Sequence, residues 1–385
     1  MDTGIAINHP GVEPNRIRGQ DSYALLHRTS SNDRVMRWNH DSNGHGTHTA
    51  GIILDVVDSG SIRKRNSEND TEYNSAIDLF VVKAFDDNNF GYESDIIRAV
   101  RICVDVGKAS IINLSLGNAY APSNFMSKLY SSIVENDDVM LVAAAGNDEN
   151  HTSTTAYYPA FHPSVVSVGA MKKNGMLFPN SVRNEQVEIV APGAEIVSTS
   201  VKWNKDGTVG GGSIENIYEY RSGTSCAAPH ITGGLALLKS HFPLCSTHQL
   251  RYAMAKSAVR HFIEDDEGNR DGLLMLSTLR SEHSVVTSDS LKCDSTRGYG
   301  NFQVRDTFDW LLAQGGCDSF HVKSKSRGGC TTLEEGIVDI RKQNSSTNKH
   351  SIGKENTKLL DTEEHTIRES FVQSLIDDLS LFGGK

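Results

Sequence analysis

Between residues 78 and 258, short apolar runs of strand length alternate with stretches whose apolar residues recur at helical spacing, and few architectures accommodate that alternation. "DLFVVKAF" (78–85), "SIINLSLG" (110–117), "VMLVAAAGN" (139–147), "SVVSVGA" (164–170), "VEIVAPG" (187–193) and "EIVSTS" (195–200) read as strands. "DIIRAVRICVDVG" (95–107) carries apolar residues at 96, 97, 100, 103 and 104, a helical face ending at Gly107. "SKLYSSIVENDD" is also helical, and "TSCAAPHITGGLALLKSHF" (224–242) is a buried helix rich in small residues. "STHQLRYAMAKSA" (246–258) is a helix opened by a Ser-x-x-Gln capping box. Strands that are apolar on both faces and alternate with helices imply an α/β fold: three layers, α/β/α, around a mostly parallel central sheet.

Two polar stretches interrupt this order. Residues 57–77 read as a surface loop, and residues 318–360, rich in Ser, Lys, Asn and Gly, read as a disordered linker. Beyond them Ile367, Phe371, Leu375, Leu379 and Phe382 recur at helical spacing, which predicts an amphipathic tail helix over 361–382. That helix either docks on the main domain or binds a partner. The main domain is expected over 1–317.

The 385 residues carry 38 Lys+Arg against 48 Asp+Glu, a net charge of −10. A nucleic-acid binder would show a basic face, so that class is excluded. No apolar run is long enough to cross a bilayer. The first residues, "MDTGIAINHPG", lack both the basic and the apolar region of a signal peptide. Cys103 falls in a helical apolar pattern and is expected as a buried thiol, while Cys226 adjoins Ser225. Cys245, Cys293, Cys317 and Cys330 cluster late in the chain. They allow three disulfide pairings, or four reduced thiols, and pairing would place the protein in an oxidising compartment.

Three motifs carry chemistry: "DTG" at Asp2-Thr3-Gly4, "NGHGTHTAG" at 43–51 around His45, and "GTSCAAPH" around Ser225. A lone serine ahead of a helix is usually a cap. A serine that acts as a nucleophile needs a base to remove its proton, and the base needs a carboxylate to hold its tautomer. All three residue types are present, in the chain order Asp, His, Ser. His48 and His230 are expected to pack rather than bind metal, since no HExxH pattern is present. "VGGGS" (209–213) is not placed like a phosphate loop. Sequons occur at Asn69, Asn150 and Asn344, and Asn113 fits the pattern inside a core strand.

Together with "AAAGN" (143–147), these motifs resemble the subtilisin-like serine proteases, or subtilases, over roughly residues 1 to 312. The resemblance implies a subtilisin-like fold closed by a helix at "GYGNFQVRDTFDWLL" (298–312), and a serine endopeptidase acting through an acyl-enzyme. It implies Asp2, His45 and Ser225 as the catalytic triad, with Asn147 and the Ser225 N–H as the oxyanion hole. Peptide or protein substrates are expected to add as a strand between Ser115-Leu116-Gly117 on one side and Gly91-Tyr92-Glu93 on the other. Ala143, Ala144, Ala145 and Gly146 would form one wall of the specificity pocket, with Asp148 at its rim and Tyr157 near its base. That acidic rim predicts preference for a basic residue before the scissile bond.

Further expectations follow from the resemblance. No cofactor serves the chemistry. A structural calcium ion is possible, although the polar segment 57–77 replaces the family's usual calcium loop. A monomer, secreted or within the secretory or vacuolar pathway, is expected. The family's buried first strand and inhibitory propeptide would lie upstream of Asp2, and without that strand the Asp2 carboxylate is expected to be poorly held. Methionine often follows the family's nucleophile, where this chain has Cys226. The alternatives are a relative that binds peptides in the same cleft without cleaving them, or a truncated form of an active protease.

Overall fold

The computed structural model describes residues 1–21, 37–60, 77–86, 88–148, 154–201, 217–259, 262–263, 272–273, 293, 296–322 and 337–339. In chain order the principal elements are β1 (Ile17–Asp21), α1 (His45–Gly60), β2 (Leu79–Lys83), α2 (Glu93–Asp105), β3 (Ile111–Leu114), α3 (Asn124–Asn136) and β4 (Met140–Ala144). There follow β5 (Val165–Met171), β6 (Ile189–Pro192), β7 (Ile196–Thr199), β8 (Tyr218–Arg221), α4 (Thr224–His241) and α5 (Thr247–Ser257). The last are the short strands β9 (Phe262–Ile263) and β10 (Gly272–Leu273), then α6 (Val304–Gln314), β11 (Phe320–Val322) and β12 (Ile337–Asp339).

Strands β3, β4, β5 and β6 form a parallel sheet in that order, and β1 pairs parallel with β2. The residues of β4 show why helices must cover both faces. Met140, Val142 and Ala144 pack with Ala227, Ile231 and Leu235 of α4. Leu141 and Ala143 point the other way, into a core with Val100 and Cys103 of α2 and with Met126, Tyr130 and Ile133 of α3. A strand with no wet face reads as a continuous apolar run, which is the pattern of a parallel sheet. Small residues along α4 let it lie close against the strands.

Several elements depart from the sequence reading. Residues 57–60, assigned to a surface loop for their polarity, complete α1: Val57 is buried and Gly60 lies against Leu237 of α4. Residues 61–76 lie outside the described residues. β1 and β8 were not anticipated. β8 turns the 195–200 strand into an antiparallel pair, Val197 opposite Tyr220. Within the stretch expected to be a disordered linker, β11 and β12 pair antiparallel, and Phe320 is buried with Tyr252, Phe308 and Leu311. The predicted tail helix, the glycine-rich stretch 209–213, and the sequons at Asn69, Asn150 and Asn344 lie outside the described residues.

The anticipated capping box of α5 is present: Ser246 Oγ accepts from the Gln249 N–H and Gln249 Oε1 from the Ser246 N–H. Cys245, just before that helix, is disulfide-bonded to Cys317, just after α6. Cys293 is also disulfide-bonded, and Cys330 lies outside the described residues. Cys103 and Cys226 are free and buried. Beneath α5, the Arg251 guanidinium grips the buried Glu188 carboxylate through two hydrogen bonds of 2.8 and 2.5 Å and donates to the Pro163 carbonyl. Among the described residues, no helix is long and apolar enough to cross a membrane.

Candidate active site

Asp2 and His45 come from segments 43 residues apart and meet through a 2.7 Å contact between Asp2 Oδ1 and His45 Nδ1. Asp2 is held firmly, contrary to the expectation of a frayed end. Its N–H donates to the Val82 carbonyl, its carbonyl accepts from Ala84, and it bridges Lys83 of β2 in parallel register. Met1 reaches across to the Asn113 carbonyl of β3. The Asp2 carboxylate also accepts from the Thr3 N–H at 2.8 Å and the Thr49 hydroxyl at 3.2 Å. These backbone and side-chain partners together fix the carboxylate in place.

The electrostatics follow from this pairing. Burial favours the neutral carboxyl of Asp2, but the His45 charge and hydrogen bond outweigh it and bring its pKa below the usual 3.8. Burial likewise disfavours a charged His45, yet the Asp2 carboxylate more than compensates and raises the ring above 6.5. A carboxylate only accepts, so Nδ1 carries the proton and Nε2 is the basic nitrogen of the neutral ring.

Ser225 is the second residue of α4 and is half-buried. Two contacts place its end of α4 beside the start of α1. Arg221 Nη2 lies over Gly44, where a Cβ would come within 3.1 Å of it. Further along, Gly233 of α4 lies against Ile53 and Val56 of α1. Ile53 is eight residues beyond His45, and Gly233 is eight beyond Ser225. The two helices therefore run side by side in matching register, with their N-terminal ends on the same side. Among the described residues no hydrogen bond joins the Ser225 hydroxyl to the His45 ring. Such contacts often tighten only with substrate bound.

Asn147 follows β4, and Thr224 fixes the orientation of its amide. The Thr224 N–H donates to Asn147 Oδ1 at 2.9 Å, and the Thr224 hydroxyl lies 3.3 Å from the same oxygen. The carbonyl end is thereby assigned, and Nδ2 is the outward donor. Thr224 Oγ1 also accepts the Gly146 N–H at 3.1 Å. Gly223 has φ +152°, and a Cβ there would meet Asn147 Nδ2 at 3.1 Å, so glycine keeps the amide close to the start of α4. Among the described residues, neither the Ser225 N–H nor Asn147 Nδ2 has an acceptor, whereas the N–H groups of Thr224 and Cys226 bond to Asn147 Oδ1 and the Gly223 carbonyl. A helix N-terminus adds a favourable field for an anion at this spot.

The remaining predicted residues divide into two groups. Ser115 is buried, and its hydroxyl donates to the Ser225 carbonyl at 2.8 Å while accepting from Asn113 Nδ2 at 2.9 Å. It braces the start of α4, while Leu116 packs partly buried against the core beneath α2 and α3 and Gly117 is exposed. Asn118 pairs with Tyr158, and the Tyr157 ring lies against Gly146, where a Cβ would be 2.5 Å from it. Gly117, Asn118, Gly146, Tyr157 and Tyr158 are thus neighbours. Ala143, Ala144 and Ala145 are buried, and the Asp148 N–H donates to the Asn180 carbonyl. Gly91, Tyr92 and Glu93 open α2, with Tyr92 half exposed and Glu93 accepting from the Ser123 N–H at 3.2 Å.

The bystander groups take structural roles. His48 Nε2 lies 3.2 Å from the Ile196 carbonyl and 3.1 Å from that of Glu219, so it ties α1 to β7 and β8. His230 Nδ1 faces the Cys226 carbonyl at 2.8 Å. Burial pushes the Cys226 thiol up to about 11, partly offset by a hydrogen bond with the Ser225 side chain. A second serine–histidine pair, Ser127 and His162, is 2.9 Å apart. His162 Nδ1 accepts the Ser164 N–H, so its proton sits on Nε2 and the ring cannot act as a base toward Ser127.

Sequence reasoning missed Asp41 and Thr224. Asp41 is buried and receives hydrogen bonds from Asn43 and Gly44 before His45 and from Thr47 after it. Its place four residues ahead of His45, followed by Ser-Asn-Gly, was the available signal.

The family model described as "Subtilase family" matches residues 1–300. The chain is 32% identical over 258 residues to the thermostable alkaline protease of Halalkalibacterium halodurans, covering 67% of this chain and 60% of that protein. It is 33% identical over 240 residues to the thermophilic serine proteinase of Bacillus sp. strain AK1, covering 62% of this chain and 51% of the relative. The matched region thus spans between half and three-fifths of those relatives. Among solved structures, the psychrophilic subtilisin-like protease Apa1 of Pseudoalteromonas sp. AS-11 superposes with a TM-score of 0.56 at 19% identity, covering 81% of this chain and 92% of that one. Fervidolysin from Fervidobacterium pennivorans gives 0.55 at 23% identity, covering 80% and 41%. These two likenesses concern the fold.

Proposed function

The chain belongs to the subtilase family, and from that premise we propose that it is a serine endopeptidase that cleaves protein substrates through an acyl-enzyme on Ser225. The observation that carries this reading is the 2.7 Å Asp2–His45 contact at the start of α1, with α4 and its serine aligned beside it.

In the proposed reaction, His45 Nε2 takes the Ser225 proton as Oγ attacks the scissile carbonyl carbon. Asp2 holds the ring's orientation and stabilises its charged form. The oxygen that gains the negative charge is received by Asn147 Nδ2 and the Ser225 N–H. His45 returns its proton to the leaving amine, and water then releases the acyl group by the same steps. Substrate lies extended between 115–117 and 91–93 through main-chain hydrogen bonds.

A fluorophosphonate probe tests this. Ser225 is labelled in the active protein, Ser225→Ala is not, and peptide cleavage disappears with the label. A wild-type protein that takes up no probe would sink the reading. At the pocket, Asp148 beside Asn147 and Tyr157 against Gly146 support a preference for Lys or Arg before the scissile bond. A peptide-library profile with no gain from either would refute it. One relative at 32% identity is named the minor extracellular protease Epr of Bacillus subtilis. Together with the Cys245–Cys317 disulfide, this supports secretion as the proposed destination.

A further inference from the structure

An acidic residue just ahead of a helix is ordinarily a cap and nothing more. Asp41 does more. Its Oδ1 accepts from the N–H groups of Asn43 at 3.1 Å and Gly44 at 2.8 Å, and its Oδ2 accepts from the N–H and hydroxyl of Thr47 at 2.8 and 2.6 Å. The fifth donor is the hydroxyl of Thr3, at 2.9 Å, from the segment that carries Asp2. Thr3 Oγ1 accepts in turn from the N–H of Gly46, next to His45, at 2.9 Å. Thr3 and Asp41 are both buried, and the buried Lys83 ammonium donates to the Thr3 carbonyl from β2. The residue after Asp2 is thus bound directly to the residue after His45, and through the Asp41 carboxylate to residues 43, 44 and 47 on either side of that histidine.

We infer that Asp41 and Thr3 form a clasp that sets the separation of the Asp2 carboxylate and the His45 ring, which makes Asp41 a positioning residue for the proposed reaction. The inference rests on the hydrolytic reading above. It is independent of the cap, because a cap needs only the donors of 43, 44 and 47, whereas the Thr3 contact does nothing for α1 that the cap does not already do. A second effect accompanies the geometry. The charged or titratable groups that act on His45 are Asp2, Asp41, Arg221 from β8 and His48 on its own helix. Asp41 raises the ring's pKa and Arg221 lowers it.

The test uses the full chain, with competent sites counted by fluorophosphonate titration so that misfolded protein does not enter kcat. Asp41→Asn puts an NH₂ among five incoming donors and removes a charge. Its kcat should fall on the order of 10–10²-fold with KM little changed, the loss expected of a misplaced base. The acid limb of its kcat/KM profile should move to lower pH, since a charge that favours protonated His45 is gone. Thr3→Val cuts the link but keeps the cap and the charge. It should lower kcat and leave that limb in place, and Thr3→Ser should restore most of the rate. Wild-type kcat per titrated site in Thr3→Val overturns the clasp, as does an unmoved acid limb in Asp41→Asn. If Asp41→Asn does not fold, the Thr3 pair decides. If the wild type takes up no probe, the hydrolytic reading fails on its own. The His45 Nδ1–H signal followed by NMR then tests the clasp: a displaced signal in Thr3→Val, restored in Thr3→Ser, supports it and an unchanged one overturns it.

Discussion

Ser115→Ala is expected to weaken α4, the helix that carries Ser225, by an amount the hydrogen bonds define. In a regular helix the Ser225 carbonyl would accept from the N–H of residue 229, but that residue is Pro229, which has none. The Ser115 hydroxyl, just past β3, fills the vacancy and is itself held by Asn113 Nδ2. Alanine at 115 leaves both groups without this partner in a buried setting. An orphaned buried polar group costs about 1–3 kcal/mol, so the pair should cost roughly 2–6 kcal/mol. In a domain of roughly 300 residues that corresponds to a fall in Tm of roughly 3–10 °C. The measurement belongs in a Ser225→Ala background, where self-digestion cannot distort the melt. A double-mutant cycle sharpens it. Pro229→Ala returns the missing N–H, so in that background Ser115→Ala should cost less by about 1–2 kcal/mol. Additive effects, or a single-mutant loss under about 0.5 kcal/mol, would refute the idea that Ser115 substitutes for the proline's missing donor.

Four further outcomes are expected. Asn147→Ala should lower kcat by about 10²–10³-fold with KM nearly unchanged, a magnitude known from removal of the like donor in subtilisin; a loss confined to KM would contradict its role. The acid limb of kcat/KM should lie above pH 6.5, because His45 must be neutral and its pKa is raised. The stabilising effect of the pair runs the other way. The His45 contribution is complete below 6.5 and is lost as pH rises through the raised value, while that of Asp2 is present above 3.8 and lost as pH falls through its lowered value. Tm of the Ser225→Ala protein should therefore bear no pH-linked gain from His45 where activity is highest. Reduction of the disulfide Cys245–Cys317, which spans 72 residues, should cost about 4 kcal/mol by loop entropy, read from denaturant melts with and without Cys317→Ser. Cys226 should resist iodoacetamide at about pH 7.5, its thiol being buried and raised to about 11, whereas a mercurial that does bind there should stop peptide cleavage.

How far the sequence could be read depended on how local each signal was. Helix α5 was visible because Ser246 and Gln249 cap it within four residues, and β4 because both its faces are apolar. β1, "IRGQD", has one large apolar residue in five and becomes a strand through its parallel pairing with β2, a contact across some 60 residues. β8, "YEYR", is largely exposed and owes its form to β7. The linker assignment failed at Phe320, where a single aromatic ring settles among Tyr252 and Trp310 despite polar neighbours. Within the site, residues that carry chemistry stand in recognisable motifs. Those that hold them, such as Asp41, Thr224 and Ser115, are isolated polar residues whose roles depend on partners distant in the chain.

The matched helices α1 and α4 make the proposed catalytic face answerable to residues well behind it. They touch at Gly233 and Val56, and a Cβ on that glycine would lie 2.9 Å from the valine side chain. Eight helical residues correspond to about 12 Å of axis, so the spacing of histidine and serine at the tips is gauged by the slimness of a residue deep in the molecule. Two struts bolted together at mid-length leave little play at their ends, and a bulkier bolt would spread them without touching any group that meets the substrate.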